Sequence, residues 1–201
     1  GVIFDFDGVI VDSEKHWGTI ENPYLRKYIP DWADEEYNAL LGKSLSDVHD
    51  VLVSTRGFRL SKQQYFDDYE LMAQKLYRDI AKPINDIHAL LNALDRKGVK
   101  CAIASSSKRS WIDLALLTHG LNTRFDVIVS AHDPEIRSGK PAPDVYLSAI
   151  KSIGYSEDNL IAIEDSTSGV TAAKAAQLFC LGFCSNDSVN QDLSIAYATI
   201  N

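Results

Sequence analysis

The chain of 201 residues is poor in several things, and each shortage excludes something. It holds three cysteines, Cys101, Cys180 and Cys184, with no C-x-x-C pair and no Cys/His cluster. An odd count without metal-type spacing suits reduced thiols rather than a disulfide framework or a zinc site, which points to the cytoplasm. No apolar run reaches the ~18 residues of a membrane span, and no signal peptide is visible. Gly1 already lies in a strand-like run, so residues ahead of it are expected. Basic charge is short too: 20 Lys and Arg stand against 28 Asp and Glu, a formal charge of −8. That balance disfavours a nucleic-acid or membrane surface, and a small anion would need a local cationic pocket. His49, His88, His119 and His132 are isolated, so neither a triad nor a zinc site is expected. No repeat or low-complexity segment occurs.

What is present begins with Gly1 to Phe4, an apolar lead-in that ends in DFDGVIVDSE, Asp5 to Glu14. In extended chain the period of two puts Asp5 and Asp7 on one side, and Gly8 permits a sharp turn after them. Two such acids repel unless a cation or proton separates them. A lone D-x-D also reads as turn residues closing a strand. Further buried runs are expected at Val99–Ala104, Phe125–Val129, Leu160–Ile163 and Leu178–Phe183, with a short last strand at Tyr197–Ile200. Helices with periodic apolar faces are expected between them, over Ile84–Leu94, around Trp111–Leu117, over Asp144–Ile153 and over Val170–Ala176. This alternation predicts an α/β protein with a Rossmann-like, doubly wound parallel sheet.

Between the first strand and the rest, residues 14–81 change in texture. Trp17, Ile20 and Tyr24, then Leu40, Leu41, Leu45 and Val48, then Tyr65, Tyr69, Met72 and Leu76 keep helical spacing. Pro23, Pro30, Gly42 and Gly57 are expected to break this helical insert into short helices. Its aromatics read as its own small core. The organisation expected is a core of residues 1–13 and 82–201 with an insert over 14–81.

Four ordered stretches, FDFDGVIVDSE (Phe4–Glu14), IASSS (Ile103–Ser107), SGKPAPD (Ser138–Asp144) and IAIEDSTSG (Ile161–Gly169), resemble the haloacid dehalogenase superfamily, within it the β-phosphoglucomutase-like and sugar-phosphate phosphatase group. The resemblance implies that Asp5 attacks phosphorus and forms an aspartyl phosphate, and that Asp7 protonates the leaving alkoxide and later activates water. The true dehalogenases lack the second acid. Gly8, Ser105, Ser106 and Lys140 would bind the substrate phosphate, while Ser107 reads as a cap on the next helix, as does Asp144. Magnesium would be held by Asp5, Asp7 through its carbonyl, Asp165 and, directly or through water, Glu164. The insert would be the family's helical cap. There the mutase's histidine is replaced by Trp17, with His16 adjacent. Aligning the cap-loop glycine with Gly42 puts Leu45 at the mutase's arginine, with Lys43 as a substitute. The expectation is therefore a phosphatase of a small phosphorylated metabolite, monomeric, with a phosphomutase as the alternative. A non-catalytic phosphometabolite binder, or an interaction module using the insert, are the alternatives of other classes.

Overall fold

The computed structural model describes residues 1–40, 44–184 and 191–201, so the expectations placed on Leu41, Gly42 and Lys43 lie outside the described residues. The chain divides into two compact units, Gly1–Glu14 with Ala81–Asn201, and Lys15–Ile80.

In the first unit, strands β1 (Val2–Phe4), β2 (Cys101–Ser105), β3 (Val127–Ser130), β4 (Ile161–Glu164), β5 (Phe179–Phe183) and β6 (Ala198–Ile200) form one sheet. All five pairings are parallel, in the order β3-β2-β1-β4-β5-β6. Every residue of β1 and β2 is buried, as expected of strands covered on both faces. The observed strands start one or two residues later than the apolar runs suggest. Val99 N–H closes the preceding turn by donating to Leu94 O (3.0 Å), so β2 begins at Cys101. Helices α4 (Ile87–Arg96), α5 (Arg109–Thr118), α6 (Asp144–Ile153) and α7 (Thr167–Ala175) connect the strands, α1 to α3 lying in the insert. Tyr146, Ala149 and Ile153 of α6 pack with Ala172 and Ala173 of α7 and with Ile3, Ala102 and Ala162 of the sheet. The order of strands reverses at β1, with β2 on one side and β4 on the other. Open α/β sheets bind ligands at such a point, beyond the carboxyl ends of the strands.

The insert leaves and rejoins this unit at adjacent positions. Asp12 N–H donates to Lys82 O (2.9 Å), Lys82 N–H donates to Asp12 Oδ1 (2.6 Å), and Val11 bridges Pro83.

The second unit holds α1 (Glu14–Tyr28, whose first residue belongs to the first unit), α2 (Leu45–Arg56) and α3 (Lys62–Lys75), with a 3₁₀ turn at Asp34–Ala39 and a π-helical turn at Leu76–Ile80. Ser44 and Ser61 cap α2 and α3, accepting from Asp47 N–H (3.1 Å) and Gln64 N–H (3.2 Å). Gly57 ends α2 at φ 64°. Pro23 does not break α1, contrary to expectation. A proline inside a helix costs about 3 kcal/mol, and here it is flanked by Glu21, Tyr24 and Leu25, all buried. That anchoring holds the helix through the defect. The aromatics form the unit's own core: Tyr65 is 1% exposed and lies 5.7 Å from Phe58 and 6.3 Å from Tyr24 between ring centroids. His49 belongs to the same cluster, its Nε2 2.9 Å from Leu60 O.

All three cysteines are free, Cys101 and Cys180 buried and Cys184 partly so. Among the described residues no helix is long and apolar enough to cross a membrane.

Candidate active site at the carboxyl edge of the sheet

Asp5 follows β1 directly, its N–H donating to Ile163 O of the neighbouring strand (2.9 Å). The chain then turns back on itself: Ile10 N–H donates to Phe6 O (2.9 Å) and Gly8 N–H to Val11 O (2.7 Å). Gly8 sits at φ 82°, and a Cβ there would stand 1.8 Å from Asp165 Oδ2. Both the turn and the close approach of Asp165 therefore require glycine.

Lys140 is the cation of the site. Its side chain is 4% exposed, and Nζ donates to both Asp5 Oδ1 and Glu164 Oε1. Glu164, fully buried at the end of β4, also accepts from the Tyr146 hydroxyl (2.5 Å). Gly169 of α7 lets this carboxylate lie against the helix, since a Cβ would come within 1.9 Å of Glu164 Oε2. Glu164 is thus chiefly the anchor of Lys140.

Asp7 is held differently. Its two oxygens accept from Ser13 Oγ and Ser107 Oγ, each at 2.5 Å. Ser107 N–H donates to Ser105 Oγ (2.9 Å), so the ends of β1 and β2 are linked through Asp7, Ser107 and Ser105. This corrects the expectation that Ser107 caps α5: Lys108 occupies the cap position and makes no side-chain cap bond. Asp144 is likewise the first residue of α6 rather than its cap, where its charge still favours the helix N-terminus. Ser105 is completely buried, and Ser106 is exposed.

Asp5 and Asp165 are each 7% exposed. Burial raises Asp5 well above the usual carboxylate range; Lys140 offsets part of this, and Glu164, Asp165 and Asp7 add to it. Asp165 is pushed up to about 8, by burial first, then by Glu164 and Glu14. Burial acts to lower Lys140, but Asp5 and Glu164 outweigh it and keep the ammonium charged. Asp5 and Glu164 thus share one lysine, whose charge also acts on Asp165. Oxygens of Asp5, Glu164 and Asp165 lie within 4.8 Å of one another, a hard, all-oxygen donor set of the kind that fits a dication.

The structure therefore brings Asp5, Lys140 and Glu164 into one bonded group, joins Asp7 to the Ser105 end of β2, and sets Gly8 against Asp165. Ser13, Ser107, Tyr146 and Gly169 were not expected in these roles. Each lies inside or just beyond a recognisable stretch, which is the one signal that could have drawn attention to them.

Comparison with known proteins agrees with this geometry. The family model for haloacid dehalogenase-like hydrolases matches residues 2–183. The Bacillus subtilis protein YhcW, provisionally named a phosphatase, is 34% identical over 193 residues, covering 90% of this chain and 81% of its own. The phosphorylated carbohydrates phosphatase of Thermotoga maritima is 24% identical, covering 87% and 80%. Two other curated relatives are longer, and the chain spans 46% and 60% of them. The crystal structure of CbbY from Rhodobacter sphaeroides in complex with phosphate shares the fold at a TM-score of 0.83 and 20% identity, covering 99% of this chain and 92% of that one. With a model match across nearly its whole length and a relative above 30% identity, the chain belongs to the haloacid dehalogenase-like hydrolases.

Proposed function

We propose that the chain is a magnesium-dependent phosphatase of small phosphomonoesters, sugar phosphates foremost, working through a phosphoryl group carried on Asp5. The observation that carries the reading is the buried Lys140 shared by Asp5 and Glu164 beside an Asp7 gripped by two serines. Asp5 attacks phosphorus: the bond from its carboxylate oxygen to phosphorus forms as the ester P–O bond breaks, and Asp7 gives its proton to the departing alkoxide. In the second step Asp7 takes a proton from water, whose oxygen bonds to phosphorus as the acyl phosphate bond breaks, releasing phosphate and restoring both acids. Lys140 offsets the repulsion between the carboxylate and the incoming phosphate, and Ser105 and Ser106, with Gly8, donate hydrogen bonds to the phosphate oxygens. Asp5 and Asp165 side chains, the Asp7 carbonyl and Glu164 would hold the metal, which supplies further positive charge to the phosphate oxygens when bound. The helical unit is assigned the choice of leaving group. The names of relatives that act on phosphorylated carbohydrates support the substrate class. Free thiols suit a reducing compartment, the cytoplasm being the simplest.

The test is phosphate release from a panel of sugar phosphates and short phosphorylated acids, with magnesium or with chelator, for the parent and Asp5→Asn. Chelator-sensitive release that falls by about 10⁴-fold or more in Asp5→Asn is expected. Undiminished turnover in that variant would remove the mechanism. Isomerisation of a hexose phosphate in the presence of its bisphosphate, with little release, would replace the phosphatase with a mutase.

A further inference from the structure

Residues 140–146 carry two side chains that end on the same atom. Lys140, in the proline-stiffened loop ahead of α6, and Tyr146, in the first turn of that helix, both donate to Glu164 Oε1 at the end of β4, the tyrosine hydroxyl at 2.5 Å. The tyrosine ring is fully buried in the core shared by α6 and the sheet, so packing fixes where its hydroxyl points. The ring centroid also lies 5.2 Å from Lys140 Nζ, a separation at which an aromatic face attracts an ammonium. The other carboxylate oxygen, Oε2, accepts from Ser166 Oγ over a longer 3.3 Å.

A buried tyrosine needs an acceptor for its hydroxyl, and a backbone carbonyl would meet that need. Here the acceptor is instead a carboxylate oxygen that Lys140 already uses, and the ring stands against the same lysine. Tyr146 therefore holds both members of one ion pair. With the hydroxyl on one lone pair of Oε1, the lysine is directed to the other. An ammonium has three N–H donors, and once two are set on Asp5 and Glu164 the direction of the third is set as well. A lysine on its flexible stem does not keep such a direction unaided. We propose that Tyr146 is a positioning residue: acting through Glu164, it sets the Lys140 ammonium between the Asp5 carboxylate and an incoming phosphate oxygen. This role rests on the phosphatase reading given above, and Tyr146 takes no part in the bond changes themselves.

Tyr146→Phe keeps the ring and removes only the hydroxyl. Kinetics on the phosphate-ester panel and the Nζ–Hζ NMR correlation of Lys140 in the full chain are compared between this variant and the parent. A control is Ile153→Val, which loosens the same core at the far end of α6. The expected result for Tyr146→Phe is a fall of about tenfold in kcat and kcat/KM alike, with KM within about twofold of the parent and a displaced Lys140 correlation. Ile153→Val should leave both readouts at the parent's values. A kcat within about twofold of the parent's in Tyr146→Phe, an unmoved Lys140 correlation, or the same changes in Ile153→Val would each overturn the proposal. If the parent itself releases no phosphate from the panel, the phosphatase reading falls, and the Lys140 correlation alone decides whether Tyr146 sets the ammonium.

Discussion

Both units bury a carboxyl group, and they neutralise it by opposite means. In the sheet unit Asp5 and Glu164 share the Lys140 ammonium, so charge meets charge. In the helical unit Glu21 is 7% exposed and is met by Tyr37 and Tyr69 hydroxyls. Burial raises Glu21 to about 7, and the two tyrosine bonds restrain the rise without cancelling it. A cation pulls a buried acid back toward its ionised form, against the burial and neighbouring acids that still raise Asp5, whereas neutral donors only restrain the rise of Glu21. The same residue chemistry thus gives an ion-paired cluster in one unit and a singly buried, pH-dependent carboxyl group in the other.

The largest effect should come from removing the cation. Lys140→Met leaves Asp5 and Glu164 buried without compensation, a loss of about 3–5 kcal/mol by analogy with broken buried pairs. Urea unfolding at pH 7.5 measures it, and a loss below about 1 kcal/mol would mean that Lys140 does not balance those acids. Next comes Glu21→Gln. At pH below 4.5 Glu21 is protonated whether folded or unfolded and contributes no pH dependence. Between 4.5 and about 7 the unfolded chain releases the proton while the folded chain keeps it, so stability falls as pH rises. Above about 7 the loss levels off at about 3 kcal/mol. Glu21→Gln should therefore be more stable than the parent at pH 8, with a flatter stability profile from pH 5 to 8, and an unchanged slope would sink the argument. Smallest is Ser107→Ala, which frees one Asp7 oxygen. It should cost about tenfold in turnover, the value of one hydrogen bond to a charged group, with folding retained.

Much of this was legible in the chain, for reasons that differ by region. Strands β1 and β2 are buried on both faces, so they show as unbroken apolar runs whatever surrounds them. The ends of β2 and β4 are less visible, because Ser105 and Glu164 pair as strand residues although the sequence stretches around them suggest only site residues. The strings around Asp5, Lys140 and Asp165 single them out, and the structure pairs Asp5 with Lys140 and sets Asp165 against Gly8. Ser107 was misread because its partner Asp7 lies 100 residues away. Local spacing could propose only the neighbouring helix. Tyr146 looks like any buried aromatic on a helix until Glu164, 18 residues later, is placed under its hydroxyl. Pro23 failed as a breaker because tertiary burial of its neighbours outweighs the local penalty.

The clasp at Asp12 and Lys82 has a consequence for how such proteins diversify. Its two backbone segments lie at a single strand spacing, already tied together on the sheet side of the insertion point. A graft that respects those two residues sees the same pair of ends whatever stands between them. The intervening chain can be lengthened, shortened or exchanged for another helical module with little new loop-closure entropy, since that entropy grows only slowly with length. Exchanging the module at this clasp therefore leaves the acids and lysine at the sheet edge in register.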